Sequence, residues 1–150
     1  MRVIIQRVKY AKCIIDGAIH SEIEDGFMVL VGIKEGDTKS EIEHVAKKVA
    51  KMRVFTDEND KMNLDLAAIN GKVLSISQFT LYADCAKGNR PSFSMAMKPP
   101  MASDLYDYFN ECLRTYDLDV KTGIFGADMK IDMVNDGPVT IFIDSDDLGR

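Results

Sequence analysis

Phe27-Met28-Val29-Leu30-Val31-Gly32-Ile33 is an almost unbroken apolar run, set between the turn signal Asp25-Gly26 and the polar stretch 34–38. Seven residues is the length of a strand, and apolar side chains on both alternations mean that both faces are buried. Toward the amino terminus, residues 2–9 are rich in Val and Ile and read as a strand. A second run, Ala11 to Ile15, ends at the hairpin signal Asp16-Gly17, and Ala18 to Ile23 returns.

Toward the carboxyl terminus, Thr38-Lys39-Ser40-Glu41 has the spacing of a capping box. Ile42, Val45, Ala46, Val49 and Ala50 follow at helical spacing, which predicts a helix to about Met52. Arg53 to Phe55 suggests a short strand, and Thr56 to Asn63 is polar and turn-like. Val73 to Leu81 reads as one strand, with Ser77, Phe79 and Leu81 on one face and Gln78 and Thr80 on the other. Ala86 to Ser94 reads as a loop. Pro99-Pro100 opens a second helix whose apolar face is Ala102, Leu105, Tyr106, Phe109, Cys112, Leu113 and Tyr116. Strands are expected at 119–124, 128–134 and 138–143, then a frayed polar tail from Asp144. Regular βαβ repeats are missing from this order. The expected fold is therefore α/β: a single mixed domain over residues 1–150, with largely antiparallel sheets and two helices packed on one side, in β/β/α layers.

Bulk composition narrows the function classes. With 46% apolar and 29% charged residues, the chain can build a core and a soluble surface. A net charge of −5 argues against broad nucleic-acid binding, which neutralises many phosphates, but allows a small contact with one RNA end. Cys13, Cys85, Cys112, His20 and His44 offer no zinc-ligand spacing, so no metal and no cofactor are expected. The first apolar run is too short for a signal peptide, and no stretch reaches a membrane span. With few, scattered cysteines, the expected location is cytoplasmic.

Three segments could carry chemistry. Ser77-Gln78-Phe79-Thr80-Leu81 puts two hydroxyls and an amide at the end of an apolar strand. A Ser or Thr nucleophile needs an adjacent base, and none is visible, so on pattern alone a hydrogen bond to a nearby loop is the better account. Asn135-Asp136-Gly137-Pro138-Val139-Thr140 reads as a hairpin turn on pattern alone. In Thr122-Gly123-Ile124-Phe125-Gly126-Ala127-Asp128-Met129, two glycines flank an aromatic that either stacks on a base or packs in the core.

Taken in order with Ile5-Gln6-Arg7-Val8, Lys61-Met62-Asn63-Leu64 and Arg90-Pro91-Ser92-Phe93, these segments resemble the D-aminoacyl-tRNA deacylase family from Arg2 to about Ile143. The resemblance implies hydrolysis of the ester between a D-amino acid and tRNA, and of glycine mischarged on alanine tRNA. It implies a homodimer with the active site at the subunit interface, acting on the 3′ acceptor end. Ser77, Gln78, Phe79 and Thr80 would line the ester. Gly137 and Pro138, joined by a cis bond, would enter the partner's pocket and exclude an L side chain. Arg7 would anchor that motif, and Phe125 and Gly126 would border the terminal adenosine. The amides of Phe79 and Thr80 would stabilise the oxyanion. Lys87 and Arg90 are candidates for phosphate contacts.

Overall fold

The computed structural model describes residues 1–149. Its strands are β1 (Arg2–Ile15), β2 (Ala18–Ile23), β3 (Gly26–Gly32), β4 (Phe55–Thr56), β5 (Met62–Leu64), β6 (Lys72–Ser77), β7 (Asp119–Thr122) and β8 (Lys130–Asp144). The helices are α1 (Lys39–Lys51) and α2 (Met101–Arg114), with 3-10 turns at Phe79–Tyr82 and Ser145–Asp147. The main sheet runs β2-β1-β3-β6-β7, with β8 on the other edge of β1; β4 and β5 pair separately.

The apolar run at 27–33 does sit mid-sheet, nearly all of it in β3. β3 lies antiparallel to β1 and parallel to β6, and all but one of its residues are buried. β6 is in turn parallel to β7. Two successive parallel crossovers, one through each helix, are therefore present in an otherwise antiparallel sheet. Crossovers of one hand running in one direction across a sheet put their helices on the same side, and α1 packs on α2 there.

Both helices follow their sequence signals. The Glu41 carboxylate accepts hydrogen bonds from the Thr38 amide (2.8 Å) and hydroxyl, and the buried face is Ile42, Val45, Ala46, Val49 and Ala50. In α2, Ala102, Tyr106, Phe109 and Leu113 are buried, while Leu105, Cys112 and, just beyond the helix end, Tyr116 pack on the rim of the same core.

That core lies between helices and sheet. A second one, with Val8, Ala11, Cys13, Ile23, Met28, Leu74 and Ile76, lies on the sheet's other face. It exists because β1 is long enough to serve two layers. Its first half pairs with β3, its second half pairs with β2, and β8 follows its opposite edge throughout. The expected β/β/α layering results, in a nearly closed sheet.

Besides the two parallel crossovers, which the element order did not suggest, four details differ from the sequence reading. The runs 2–9 and 11–15 are one strand, with register shifts rather than a break near Val8 and Tyr10. The strand ending at Leu81 stops at Ser77, and the chain turns into the 3-10 segment, so the alternating faces assigned to 77–81 do not form. The Asp136-Gly137 hairpin is not a hairpin: β8 continues through it, because both flanks pair with β1. The tail is not frayed up to Leu148. The Met1 amino group donates to Ser145 Oγ (2.6 Å) and Asp37 Oδ1 (2.9 Å), and Asp144 and Ser145 are buried.

Candidate active site

β6 delivers its carboxyl end to the rim of the sheet. There the Gln78 amide donates to the Val31 carbonyl (2.7 Å) as the last sheet-like contact, and Phe79–Tyr82 coil away. Gly32 makes room for that turn: a Cβ there would lie 3.0 Å from Leu81 Cβ and 3.1 Å from the Gln78 carbonyl oxygen. Within the turn, Leu81 N donates to Gln78 O, and Ala83 N to Thr80 O. The amides that open such a turn, those of Phe79 and Thr80, have no carbonyl partner within it.

Ser77, Gln78 and Phe79 share a cavity of ≈ 280 Å³ with Ile76, Phe125, Gly126, Ala127, Asp128, Met129 and Ile131. A second cavity of ≈ 370 Å³ shares Phe79, Phe125 and Gly126 and adds Phe93, Ala96, Met97, Lys98 and Pro99. Phe79 meets Phe93 edge to face at 5.1 Å between ring centres, and Phe125 leans on buried Tyr106 at 6.2 Å. Tyr106 in turn donates its hydroxyl to the Ser75 carbonyl (2.7 Å), and burial pushes its phenol pKa up. Phe125 thus packs partly on the core, as one reading of it expected, and also lines both cavities.

Thr80 is exposed, lines neither cavity, and its hydroxyl is paired with the Gln78 side-chain amide. The one ionisable side chain on the first cavity's wall, Asp128, is 86% exposed and held by Lys130 at 2.9 Å. His20 is an exposed residue and His44 lies on α1, so neither histidine lines this cavity. Lys87 and Arg90 are exposed on the loop after the turn.

Gly137 and Pro138 are elsewhere. Between Gln6 and Val8, two steps on β1 face five on β8, from Thr140 back to Asn135. Three residues of β8 are therefore in excess, and the strand bulges outward with Gly137 and Pro138 exposed. The Gly137-Pro138 bond is cis, and Gly137 has φ +123°, a region that glycine alone enters readily. Asn135 brackets the bulge: its amide nitrogen donates to Thr140 Oγ1 (3.0 Å), and its oxygen accepts from Val139 N (3.3 Å). Arg7 holds it from beneath, donating through Nε to the Asp136 carbonyl (3.1 Å) and through Nη1 to the Val54 carbonyl (2.6 Å).

One chain does not bring this bulge to the Ser77 cavity. Ser77 is level with Val31 and hence with Val3, whereas the bulge is level with Arg7. Four strand residues are an offset of roughly 13 Å, with β1 and β3 standing between.

Sequence reasoning missed Arg2, at the other end of β1. Its Nε donates to Asp144 Oδ2 (2.8 Å), its Nη1 donates to the Leu81 carbonyl (2.9 Å), and its guanidinium lies 4.5 Å from the centre of the buried Tyr82 ring. The hydrogen bond from Arg2 holds the Asp144 carboxyl below the usual range, against the opposing effect of burial. As the flank of an apolar strand, Arg2 carried no pattern that would have singled it out.

In fold, the molecule matches the solved structure of a "c-Myc DNA Unwinding Element Binding Protein" at TM-score 0.90 and 39% identity, over 96% of this chain and 98% of that one. A probable eukaryotic D-amino acid tRNA deacylase has the same fold at TM-score 0.80 and 16% identity. The D-Tyr-tRNA(Tyr) deacylase family model matches residues 4–144, and the chain belongs to that family of hydrolases. Proteins named D-aminoacyl-tRNA deacylase are 52% identical in Staphylococcus haemolyticus (98% of this chain, 97% of the relative) and 50% identical in Thermosipho africanus (97% of each). A third, in Lactobacillus acidophilus, is 54% identical over 96% of this chain and 99% of the relative.

Proposed function

We propose that the chain hydrolyses the ester that joins a D-amino acid to the 3′ end of tRNA, as the names of its relatives suggest, and that it clears glycine mischarged on alanine tRNA by the same route. The observation that carries the reading is the meeting of Ser77, Gln78 and Phe79 with Phe125 and Gly126 around one cavity whose walls hold no poised base. A site without a base-activated nucleophile works best by stabilising charge. The amides of Phe79 and Thr80 would receive the oxyanion as water attacks the ester carbonyl, assisted by the neighbouring ribose 2′-hydroxyl. The adjoining apolar cavity between Phe79, Phe93 and Phe125 suits the terminal adenine. Lys87 and Arg90, exposed on the loop after the turn, would meet phosphates of the acceptor strand, a contact small enough for an acidic protein acting in the cytoplasm.

The chiral filter is proposed to act across a homodimer. Gly137 and Pro138 of one subunit would present their carbonyls to the α-centre held in the partner's pocket and reject an L side chain. Two observations support this arrangement. The bulge is offset from its own chain's cavity. β8 also pairs with β1 alone among the described strands and exposes Val134 (44%) and Phe142 (54%), an open edge of the kind that another chain covers.

Two variants test the reaction. Thr80→Ala should keep fold, dimer and most turnover. Thr80→Pro removes the amide and should cost about 10²–10³ in kcat, as the loss of one oxyanion donor does. Near-complete loss in a folded, dimeric Thr80→Ala protein would make the hydroxyl a nucleophile and overturn the backbone reading.

A further inference from the structure

A four-residue 3-10 turn has little internal stiffness. Whether its leading amides are aimed at a fixed point depends on what holds its other end. That end is held from outside. The Leu81 carbonyl, which lies beyond the turn's own bonds, accepts from Arg2 Nη1 at 2.9 Å, and the guanidinium covers the Tyr82 ring at 4.5 Å. The guanidinium is itself oriented, since Nε donates to Asp144 Oδ2 at 2.8 Å. That carboxylate is fixed in turn by the Asp146 amide, which donates to Oδ1 at 3.0 Å. β1, β8 and the turn are thus joined at one planar cation. A rise of about 2 Å per residue puts the leading amides only roughly 6 Å from the Leu81 carbonyl, so displacement at one end is felt at the other.

We infer that Arg2 is a positioning residue for ester hydrolysis, holding the Phe79–Tyr82 turn by its carbonyl end so that the Phe79 and Thr80 amides meet the oxyanion. The inference rests on the proposed role of those amides. Arg2 touches no reacting atom and acts through the turn. Its positive charge at the carbonyl end also complements the turn's dipole, and with it the negative charge that develops at the amide end. The task needs a fork: one nitrogen meets Asp144 and another meets Leu81, which a lysine's point charge cannot reproduce.

The experiment compares Arg2→Gln, Arg2→Lys and Asp144→Asn with the parent protein, measuring kcat and KM on D-tyrosyl-tRNA, the D:L rate ratio and the melting temperature. Rates are taken well below the lowest melting point, so that all of each protein is folded. Arg2→Gln should lower kcat about tenfold or more and leave KM within about twofold, the mark of an interaction realised in the transition state. The D:L ratio should stay unchanged, because the Gly137 bulge is untouched. Arg2→Lys should recover part of kcat, and Asp144→Asn, which leaves the cation in place but frees its fork, should lose a smaller share. If Arg2→Gln does not fold, the other two variants carry the same test. A wild-type kcat in folded Arg2 variants, whatever their melting temperature, overturns the inference. Thr80→Pro separates the two levels. If it is inactive while Arg2→Gln is fully active, the amides act but Arg2 does not position them. If it is fully active, both ideas fail.

Discussion

Arg7→Lys should weaken chiral discrimination more than it weakens catalysis. Arg7 is 11% exposed and bridges two carbonyls on different segments, Val54 through Nη1 and Asp136 through Nε. A lysine ammonium is a single point and cannot serve both, so one carbonyl loses a charged donor. Such a bond contributes about 1.5–3 kcal/mol. If that loss acts on the whole fold, the melting temperature of a chain of this size drops by roughly 3–12 °C. The local effect should be larger in proportion. The bulge has no sheet partner of its own across its three excess residues, so the lost bond shifts how often Gly137 and Pro138 occupy their working position. At 1.4 kcal/mol per factor of ten, the D:L rate ratio should fall by about 10-fold or more. The assay is initial-rate release of D-Tyr and L-Tyr from charged tRNA by parent and variant, with melting curves alongside. A variant with a lower melting temperature and an unchanged D:L ratio would refute the assignment of Arg7 as the anchor of the filter, leaving it only a structural role.

Three further outcomes are expected. Gly137→Ala places a Cβ 3.0 Å from Arg7 Nη2 at φ +123°, so it should cost about 1–3 kcal/mol and reduce the D:L ratio, read from melting curves and paired rate measurements. Phe125→Ala should raise KM for charged tRNA by roughly 5-fold to 150-fold, the loss of one base–aromatic stack, and an unchanged KM would remove the adenosine from this cavity. The third concerns acid. Burial alone would raise the Asp144 carboxyl, but the Arg2 hydrogen bond, the Asp146 amide and the amino-terminal charge hold it below its ordinary value. A carboxyl depressed in the folded state stabilises the protein above the unfolded value, and that stability is lost as pH falls through the folded one. Asp144→Asn should therefore flatten the acid limb of stability against pH below about pH 4, and an identical limb in the variant would contradict the coupling.

What could be read from sequence was what depends on local periodicity. The apolar run at 27–33, the capping box at Thr38 and the two helical faces formed largely as their spacing implied, because each pattern is completed within about fifteen residues. Features decided by distant pairing were misread. Asp136-Gly137 has the local chemistry of a hairpin, but β1 is long enough to pair with residues on both sides of it and draws them into one strand. The alternation at 77–81 continues past the point where the sheet ends, and the small side of Gly32 lets the chain turn there. The tail looked unanchored because its anchor, the amino group of Met1, is a sequence length away. Ser77, Gln78, Phe79, Phe125 and Gly126 were legible as a group through resemblance alone, and the fold does bring them together. Arg2 belonged to no motif, and the contacts of its side chain are all made with residues 79 or more positions distant.

The proposed function is that this fold removes D-amino acids from tRNA and spares L-amino acids through the carbonyls of the exposed residues Gly137 and Pro138. Its most direct test is one time course with the purified protein and two substrates, D-tyrosyl-tRNA and L-tyrosyl-tRNA on the same tRNA. Rapid release of D-Tyr is expected, while the L-ester decays only at its spontaneous rate. Equal cleavage of the two enantiomers would contradict it.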